Sequence, residues 1–542
     1  MSFRILVTDE IDRDGVALLE AEPAFVVDEV PTLPVDTLLE RIPEYDAIVG
    51  RSATRISEQL LQKGLRLRVV GRAGVGVDNI ALDVATQLGI AVINAPAGNT
   101  VAVAELFFGS VISLLRHLPR AVDSMQAGRW DRSALMGSEL KGRTLGIVGV
   151  GRIGGEVATR ARAFGMEVMG YDPYITDARF DMLRVRRVSS LEAVLEEADV
   201  VTIHTPLNDE TRNMFGRREI GRLRPGAILV NMARGGIVDD TALLDALQSG
   251  KLGGAVLDVY DREPLGPEHP LRKSPNLVLT PHIGASTAEA QRNVAVEVCE
   301  AVRDALLTGD FATSINVATV DGPWNDPWRE LRPVMLLARR AAALARAVLA
   351  EQGVRALQRL TLRCDPTLAG GREALLAAAA LGALEAVLET ERLNLINART
   401  IAEGRGIELV AGESAQIPPA TIEVSLRGTM QELTVRGSAP AGVSPRLTRI
   451  GSFHVDVNIG GTPQPTLIVL TNRDVPGVIG HVGTVLGDAG VNIAEYHQAR
   501  LAEGGEALAA IAVDGPADGQ LRARLLEIPE VQSATVVTFR DG

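Results

Sequence analysis

Up to about residue 300, short aliphatic runs alternate with segments whose apolar positions recur at helical spacing. The runs are FRILVTD, DAIVGRS, LRVVGRAG, AVINAPAG, LGIVGVG, EVMGYDP, VVTIHTPL, AILVNMARG, GAVLDVYD and LVLTPHIGAS. Near-continuous Val/Ile/Leu runs predict strands buried on both faces, hence parallel sheets covered by helices. There are too many for one five- or six-stranded sheet, so two α/β domains are expected.

The pattern breaks near 316–330, in INVATVDGPWNDPWRE. Pro323, Trp324, Pro327 and Trp328 make this a linker or docking turn. Helical patterns follow at about 330–351 and 371–389, with strands LQRLTLRC, TIEVSLRG and FHVDVNIGG between and after them. That is an α+β unit. From about 465 the order is strand (TLIVLT), turn (NRDVPG), helix from about 477, strands VNIAEYHQAR and ALAAIAVD, helix at about 516–527, and strand VQSATVVTF. The order βαββαβ is ferredoxin-like.

A length of 542 residues fits three or four domains. Lys and Arg total 55 against 68 Asp and Glu, a net charge of −13. This balance argues against broad binding to nucleic acid or anionic membranes, while leaving room for a local basic pocket. Cys299 and Cys364 have no metal-type spacing, so no metal site is expected and a reduced, cytoplasmic compartment is. The N-terminus lacks the apolar core of a signal peptide. The most apolar stretches, 334–350 and 374–388, are interrupted by Arg339, Arg340 and Glu385 and are expected to be buried alanine-rich helices.

The candidate chemistry begins at Gly149, Gly151 and Gly154, spaced G-x-G-x-x-G between a strand and a helix. A second strand then ends in Asp172. In that context the glycines allow a tight turn, approach of a pyrophosphate to the backbone, and close helix–strand packing. The helix N-terminus adds N–H donors and positive dipole. Asp172 can accept from both ribose hydroxyls and would repel a 2′-phosphate, which favours NAD over NADP. The similar GRAGVGVDN has Asn79 at the third position and reads as a ligand-facing loop of the other domain.

Three further residues follow strands: Arg234 in NMARGGIVD, Glu263 in LDVYDREP and His282 in LTPHIGAST. An arginine fork can hold a carboxylate by two parallel hydrogen bonds. A histidine paired with a carboxylate can take a hydroxyl proton as hydride leaves the adjacent carbon. His204 is the rival histidine and is expected to border the cofactor.

Together, GxGxIG–YDP, NxARGGIVD, LDV–x–EP and PHIGAST make the chain resemble the D-isomer-specific 2-hydroxyacid dehydrogenases over roughly residues 1–316. The resemblance implies an α/β fold with a Rossmann NAD domain (100–285) inserted in a flavodoxin-like substrate domain (1–99 and 286–316). It implies catalytic roles for Arg234, Glu263 and His282. It also implies cofactor contacts at Gly149, Gly151, Arg152, Ile153, Gly154, Asp172, His204, Thr205, Pro206, Ala233, Asp258 and Gly284. Arg51 and Arg72, with the N–H groups near Val75 and Gly76, match the phosphate site of members acting on a phosphorylated 2-hydroxy acid. Arg132 matches a position that reaches a partner subunit's active site. The implied reaction is NAD-dependent oxidation of 3-phospho-D-glycerate, opening a route to L-serine. Another 2-hydroxy acid, or NAD sensing without turnover, are the alternatives.

The last unit (465–542) resembles the ACT module, which binds amino acids at subunit interfaces. That resemblance implies a homo-oligomer, expected to be a tetramer, and an L-serine effector held by Asn472, Asp474 and Asn492. The segment 317–454 resembles the intervening domain of long family members, with Arg446 and Arg449 as candidate anion contacts.

Overall fold

The computed structural model describes residues 2–311, 313–318, 320, 327–385, 387–388, 392–460, 465–515, 517 and 519–539. Pro323 and Trp324 of the expected linker lie outside the described residues.

Strands β1 (Phe3–Val7), β2 (Phe25–Glu29), β3 (Ala47–Gly50), β4 (Val69–Arg72) and β5 (Ala91–Asn94) form a parallel sheet ordered β2-β1-β3-β4-β5. The chain then leaves through the helix Thr100–Leu115 and returns through the helix Ala288–Thr308. On the returning helix, Val294, Val298 and Val302 pack into one core with Ile5, Val7 and Val49. The first sheet is thus completed by residues some 200 positions further on.

Between those helices lies a second sheet of β6 (Thr144–Val148), β7 (Glu167–Tyr171), β8 (Arg186–Arg187), β9 (Val200–Ile203), β10 (Ala227–Asn231), β11 (Leu252–Leu257) and β12 (Leu277–Leu279). Its order is β12-β11-β10-β9-β6-β7-β8, all parallel. The strand order reverses between β6 and β9, and a crevice opens there at the carboxyl ends. This is a Rossmann-like α/β fold. The ten apolar runs all became strands. The two unforeseen ones, β2 and β8, are edge strands with exposed charged residues, so no continuous apolar run marks them.

A third sheet contains β13 (Arg359–Cys364), β14 (Glu408–Glu413), β15 (Thr421–Arg427), β16 (Glu432–Ser438), β17 (Arg446–Ile450) and β18 (Phe453–Asn458), ordered β14-β13-β15-β16-β17-β18. The helices Pro327–Glu351 and Arg372–Glu385 cover one face of it. The continuous helical run Pro366–Glu385 is long and apolar enough to cross a membrane, yet 72% of it is buried inside the protein. Arg339 and Glu385 join the two covering helices by a buried ion pair at 2.8 Å. Two of the charges that interrupt the apolar stretches therefore pair with each other, and the third, Arg340, donates to the Ile459 carbonyl.

The last sheet is antiparallel: β19 (Thr466–Arg473), β20 (Ile493–Arg500), β21 (Glu506–Val513) and β22 (Val531–Thr538), ordered β20-β21-β19-β22. The helices Val478–Asp488 and Gly519–Leu526 complete a βαββαβ order.

Candidate active site

The crevice of the second sheet starts at Gly149, whose φ of +92° only glycine adopts readily. A Cβ there would also lie 2.7 Å from the His204 carbonyl, so the turns after β6 and β9 touch at the reversal point. Gly151 caps the helix Arg152–Ala163, and a Cβ on it would meet nothing within 4 Å. A Cβ on Gly154 would lie 2.3 Å from the Gly149 carbonyl, so the helix rests directly on the turn. Arg152 and Ile153 form the first helical turn. Asp172, at the end of β7, accepts from the Val150 N–H at 2.9 Å and the Tyr174 N–H at 3.0 Å. Its carboxylate is thereby held beside the glycine turn with acceptor capacity remaining.

Two buried polar atoms next to this turn, His204 Nδ1 and Thr205 Oγ1, have no protein partner. His204 Nε2 meets the hydroxyl of Thr202, two residues back, at 3.0 Å. Burial pushes the imidazole down to about 4, so it is neutral at physiological pH. A neutral ring without a carboxylate partner suits a cofactor wall rather than a proton relay. Orphaned donors and acceptors beside an open helix N-terminus fit a dinucleotide. Pro206 and Ala233 lie in the loops after β9 and β10.

The three catalytic candidates follow neighbouring strands β10, β11 and β12. His282 Nδ1 lies 2.7 Å from Glu263 Oε2. The second Glu263 oxygen accepts from the Tyr260 N–H at 3.0 Å, while the Tyr260 hydroxyl donates to the Thr280 carbonyl at 2.8 Å. Both ends of the pair are therefore tied to one frame. With Nδ1–H donated to the carboxylate, Nε2 is left with its lone pair facing outward. His282 itself has a φ of +54°, a conformation its surroundings must impose. Asp258, 1% exposed, supplies that constraint: it accepts from Thr280 Oγ1 at 2.6 Å, and from the N–H groups of Ile283 and Gly284 at 2.8 Å. Asp258 and Gly284, expected against the cofactor, are thus first of all the clamp on the histidine turn.

Arg234 reaches from the loop after β10 to the first sheet's lobe, where its Nε donates to Asp78 Oδ2 at 3.0 Å. Its Nη1 donates to the Ala233 carbonyl at 2.6 Å. The Arg234 loop abuts the Glu263 loop: a Cβ on Gly235 would lie 1.9 Å from the Tyr260 carbonyl. Arg72, at the end of β4, sits in the same crevice. Burial, then Arg234 and Arg51, push its guanidinium down to about 10. Its Nε is buried without a partner. Asp78 and Asp9 offset only part of that repulsion, so a cleft holding these cations favours entry of an anion. Among the described residues, no hydrogen bond ties up the Val75 or Gly76 N–H groups in this loop.

Asp9 was not singled out by its sequence context, yet it shapes this pocket. Buried at 6% exposure, it accepts from the N–H groups of Arg51 (2.8 Å) and Thr54 (2.9 Å) and from the hydroxyls of Thr54 (2.7 Å) and Thr32 (2.8 Å). Thr54 is therefore a buried support for this loop. Asp9→Ala is expected to lower unfolding stability by about 2 kcal/mol, because buried donors lose their charged acceptor. Urea unfolding measures this, with a rise in substrate KM as the loop carrying Arg51 loosens.

The remaining candidates are dispersed. Arg132 is exposed in a short helical turn, Arg132–Leu135, between exposed Trp130 and Met136. Asn472 is buried at the end of β19, its Nδ2 donating to the Arg473 carbonyl at 2.8 Å and its Oδ1 unpartnered. Asp474 meets Arg500 Nη1 at 3.3 Å. Asn492 donates to Asp514 at 2.6 Å. Asn472 is opposite Ala507 and Ile493 is opposite Val513. In one chain, then, Asn492 stands roughly 20 Å along the sheet from Asn472. Arg446 is occupied by Asp456 and by Glu495 at 3.1 Å, and its strand β17 lies between β16 and β18. Arg449 donates to the Gly451 carbonyl at 2.7 Å.

The family described as D-isomer specific 2-hydroxyacid dehydrogenase, NAD binding domain, matches residues 108–284, the span that carries the second sheet. Fold and match define the class as NAD-binding 2-hydroxyacid dehydrogenases, with NAD the cofactor. The chain is 30% identical, with a TM-score of 0.51, to the D-lactate dehydrogenase of Aquifex aeolicus complexed with NAD and lactic acid, covering 57% of this chain and 97% of that one. It is also 36% identical over 538 residues to a D-3-phosphoglycerate dehydrogenase of Synechocystis, covering 98% of this chain and 94% of the relative. The D-3-phosphoglycerate dehydrogenase of Bacillus subtilis is 36% identical, covering 99% of both chains. The chain belongs to the D-3-phosphoglycerate dehydrogenase family.

Proposed function

We propose that the protein oxidises 3-phospho-D-glycerate to 3-phosphooxypyruvate with NAD, as the first step of a phosphorylated route to L-serine in the cytoplasm. The observation that carries this reading is the convergence of Arg51, Arg72 and Arg234 on one cleft beside the His282–Glu263 pair. A substrate with a carboxylate at one end and a phosphate at the other matches that distribution of cations; a lactate-like acid leaves two of them without a partner.

In this reading Arg234 holds the carboxylate and the reacting oxygen. Arg51 and Arg72, with the N–H groups of Val75 and Gly76, hold the phosphate. His282 Nε2 takes the proton of the substrate hydroxyl, and Glu263 keeps the ring oriented and stabilises the imidazolium that forms. When bound, NAD supplies the hydride acceptor; Gly149, Gly151 and Gly154 would accommodate its pyrophosphate and Asp172 its adenosine ribose. Closure of the two lobes, which Arg234 spans, would exclude water.

We divide the chain into a substrate domain (1–99 and 286–316), a dinucleotide domain (100–285), an intervening domain (317–454) and a ferredoxin-like ACT domain (465–542). Val101, Leu118, Val122, Met125, Trp130 and Met136 are all exposed within one stretch of chain, which suits a contact with a second copy, with Arg132 in the same stretch to reach the partner's cleft. Because Asn492 and Asp474 stand at opposite ends of one sheet, an L-serine site using both needs two ACT domains side by side. A tetramer would satisfy both contacts.

The test is an assay of NADH formation with 3-phosphoglycerate, with and without L-serine. Binding of NADH with no turnover of any 2-hydroxy or 2-oxo acid would leave only a sensing role. Arg72→Ala is expected to lower kcat/KM for 3-phosphoglycerate about 100-fold, through loss of a buried charged contact. It should change kcat/KM for an unphosphorylated 2-hydroxy acid far less. Equal losses on both substrates would remove the phosphate assignment.

A further inference from the structure

Arg234 does not wait in the cleft as a bare cation. Its Nε is paired with Asp78, which belongs to the opposite lobe and is 156 residues away in sequence. Asp78 is 64% exposed, whereas the Arg234 side chain is 26% exposed. Gly76 makes the pairing possible: a Cβ there would lie 1.9 Å from Arg234 Nη2 and 2.8 Å from Asp78 Oδ2. A side chain at position 76 would require the two to shift.

Asp78 is also the loosely held anion of the pocket. The other nearby carboxylate, Asp9, is buried and committed to four hydrogen bonds. Asp78 is exposed, and among the described residues the side-chain contact made by its carboxylate is the one with Arg234. It occupies a donor of the same fork that, on the function proposed above, receives the substrate carboxylate.

We propose that Asp78 is a built-in stand-in for the substrate carboxylate: it holds Arg234 across the cleft in the substrate-free enzyme and gives the fork up when substrate enters. The exchange replaces one carboxylate–guanidinium contact by another. It keeps Arg234 extended and desolvated in the orientation substrate needs, and it sets substrate affinity below what the three arginines alone would provide. The proposal rests on the assignment of Arg234 to the substrate carboxylate.

The experiment compares Asp78→Asn and Asp78→Glu with the parent chain, with the integrity of each variant checked by NADH binding. An exposed ion pair contributes up to about 1 kcal/mol, so losing the competitor is expected to lower KM for 3-phosphoglycerate about three- to fivefold in D78N. The inhibition constant of oxamate, a simple carboxylate, should fall by a similar factor. D78E, which retains the charge, should return both values toward the parent. A rise in KM in D78N, a loss confined to kcat, or identical behaviour of D78E and D78N would overturn the proposal. If no chain oxidises 3-phosphoglycerate, the functional reading fails separately. Calorimetric titration of oxamate into the NADH complexes then decides: tighter binding by D78N supports the stand-in, and equal binding overturns it.

Discussion

His282→Asn is expected to lower kcat by about 10²- to 10⁴-fold while leaving NADH affinity near that of the parent. The magnitude is that of a positioned general base. His282 Nδ1 is engaged by Glu263 at 2.7 Å, and Glu263 is anchored in turn by the Tyr260 N–H. Only Nε2 is left to move a proton. Asparagine preserves a polar group but cannot take up a proton at neutral pH. The turn itself is held by Asp258 through Thr280, Ile283 and Gly284, none of which the substitution touches. Steady-state kinetics with direct titration of NADH separate the two effects. A loss of NADH binding equal to the loss of rate would point to collapse of the turn and remove the assignment.

Arg234→Ala is expected to cost about 10²- to 10³-fold in kcat/KM, since truncating one side of a buried charge pair leaves the other unmatched. The loss should fall on phosphorylated and unphosphorylated acids alike, because both present a carboxylate. That pattern distinguishes Arg234 from Arg72, whose loss should discriminate between them. Arg234→Lys should recover little: an ammonium cannot reproduce the fork, nor span from Ala233 to Asp78 by two separate donors. Recovery by lysine would mean that charge alone, and not the planar geometry, does the binding.

The candidate site was legible in the sequence to unequal depth. Gly149 and Gly154 stand out because a positive φ and a close helix contact disfavour any side chain there, and Gly151 because the space above it stays open. Arg234, Glu263 and His282 could be singled out because each follows a recognisable buried strand. Asp9 and Asp78 could not. Asp9 reads as one acid in an acidic stretch, and its importance lies in four donors from positions 32, 51 and 54. Asp78 reads as part of a failed glycine motif, and its partner lies in the other lobe. Asp258 carries no signal for its three contacts on the histidine turn, which form only when β11 and β12 lie side by side. In the third sheet, β14 and β16 escaped notice because half-exposed strands lack a continuous apolar run.

The chain's local chemistry by itself determined which segments become buried parallel strands and where a dinucleotide turn can form. Side-chain burial along a strand and the permitted dihedrals of a turn depend on residues a few positions apart. Only the tertiary structure decided that Asp78 rather than water meets Arg234, and that Asn492 lies far from Asp474 within one chain. Those outcomes depend on how separate elements pack. Contacts between distant positions have no period for a linear pattern to display.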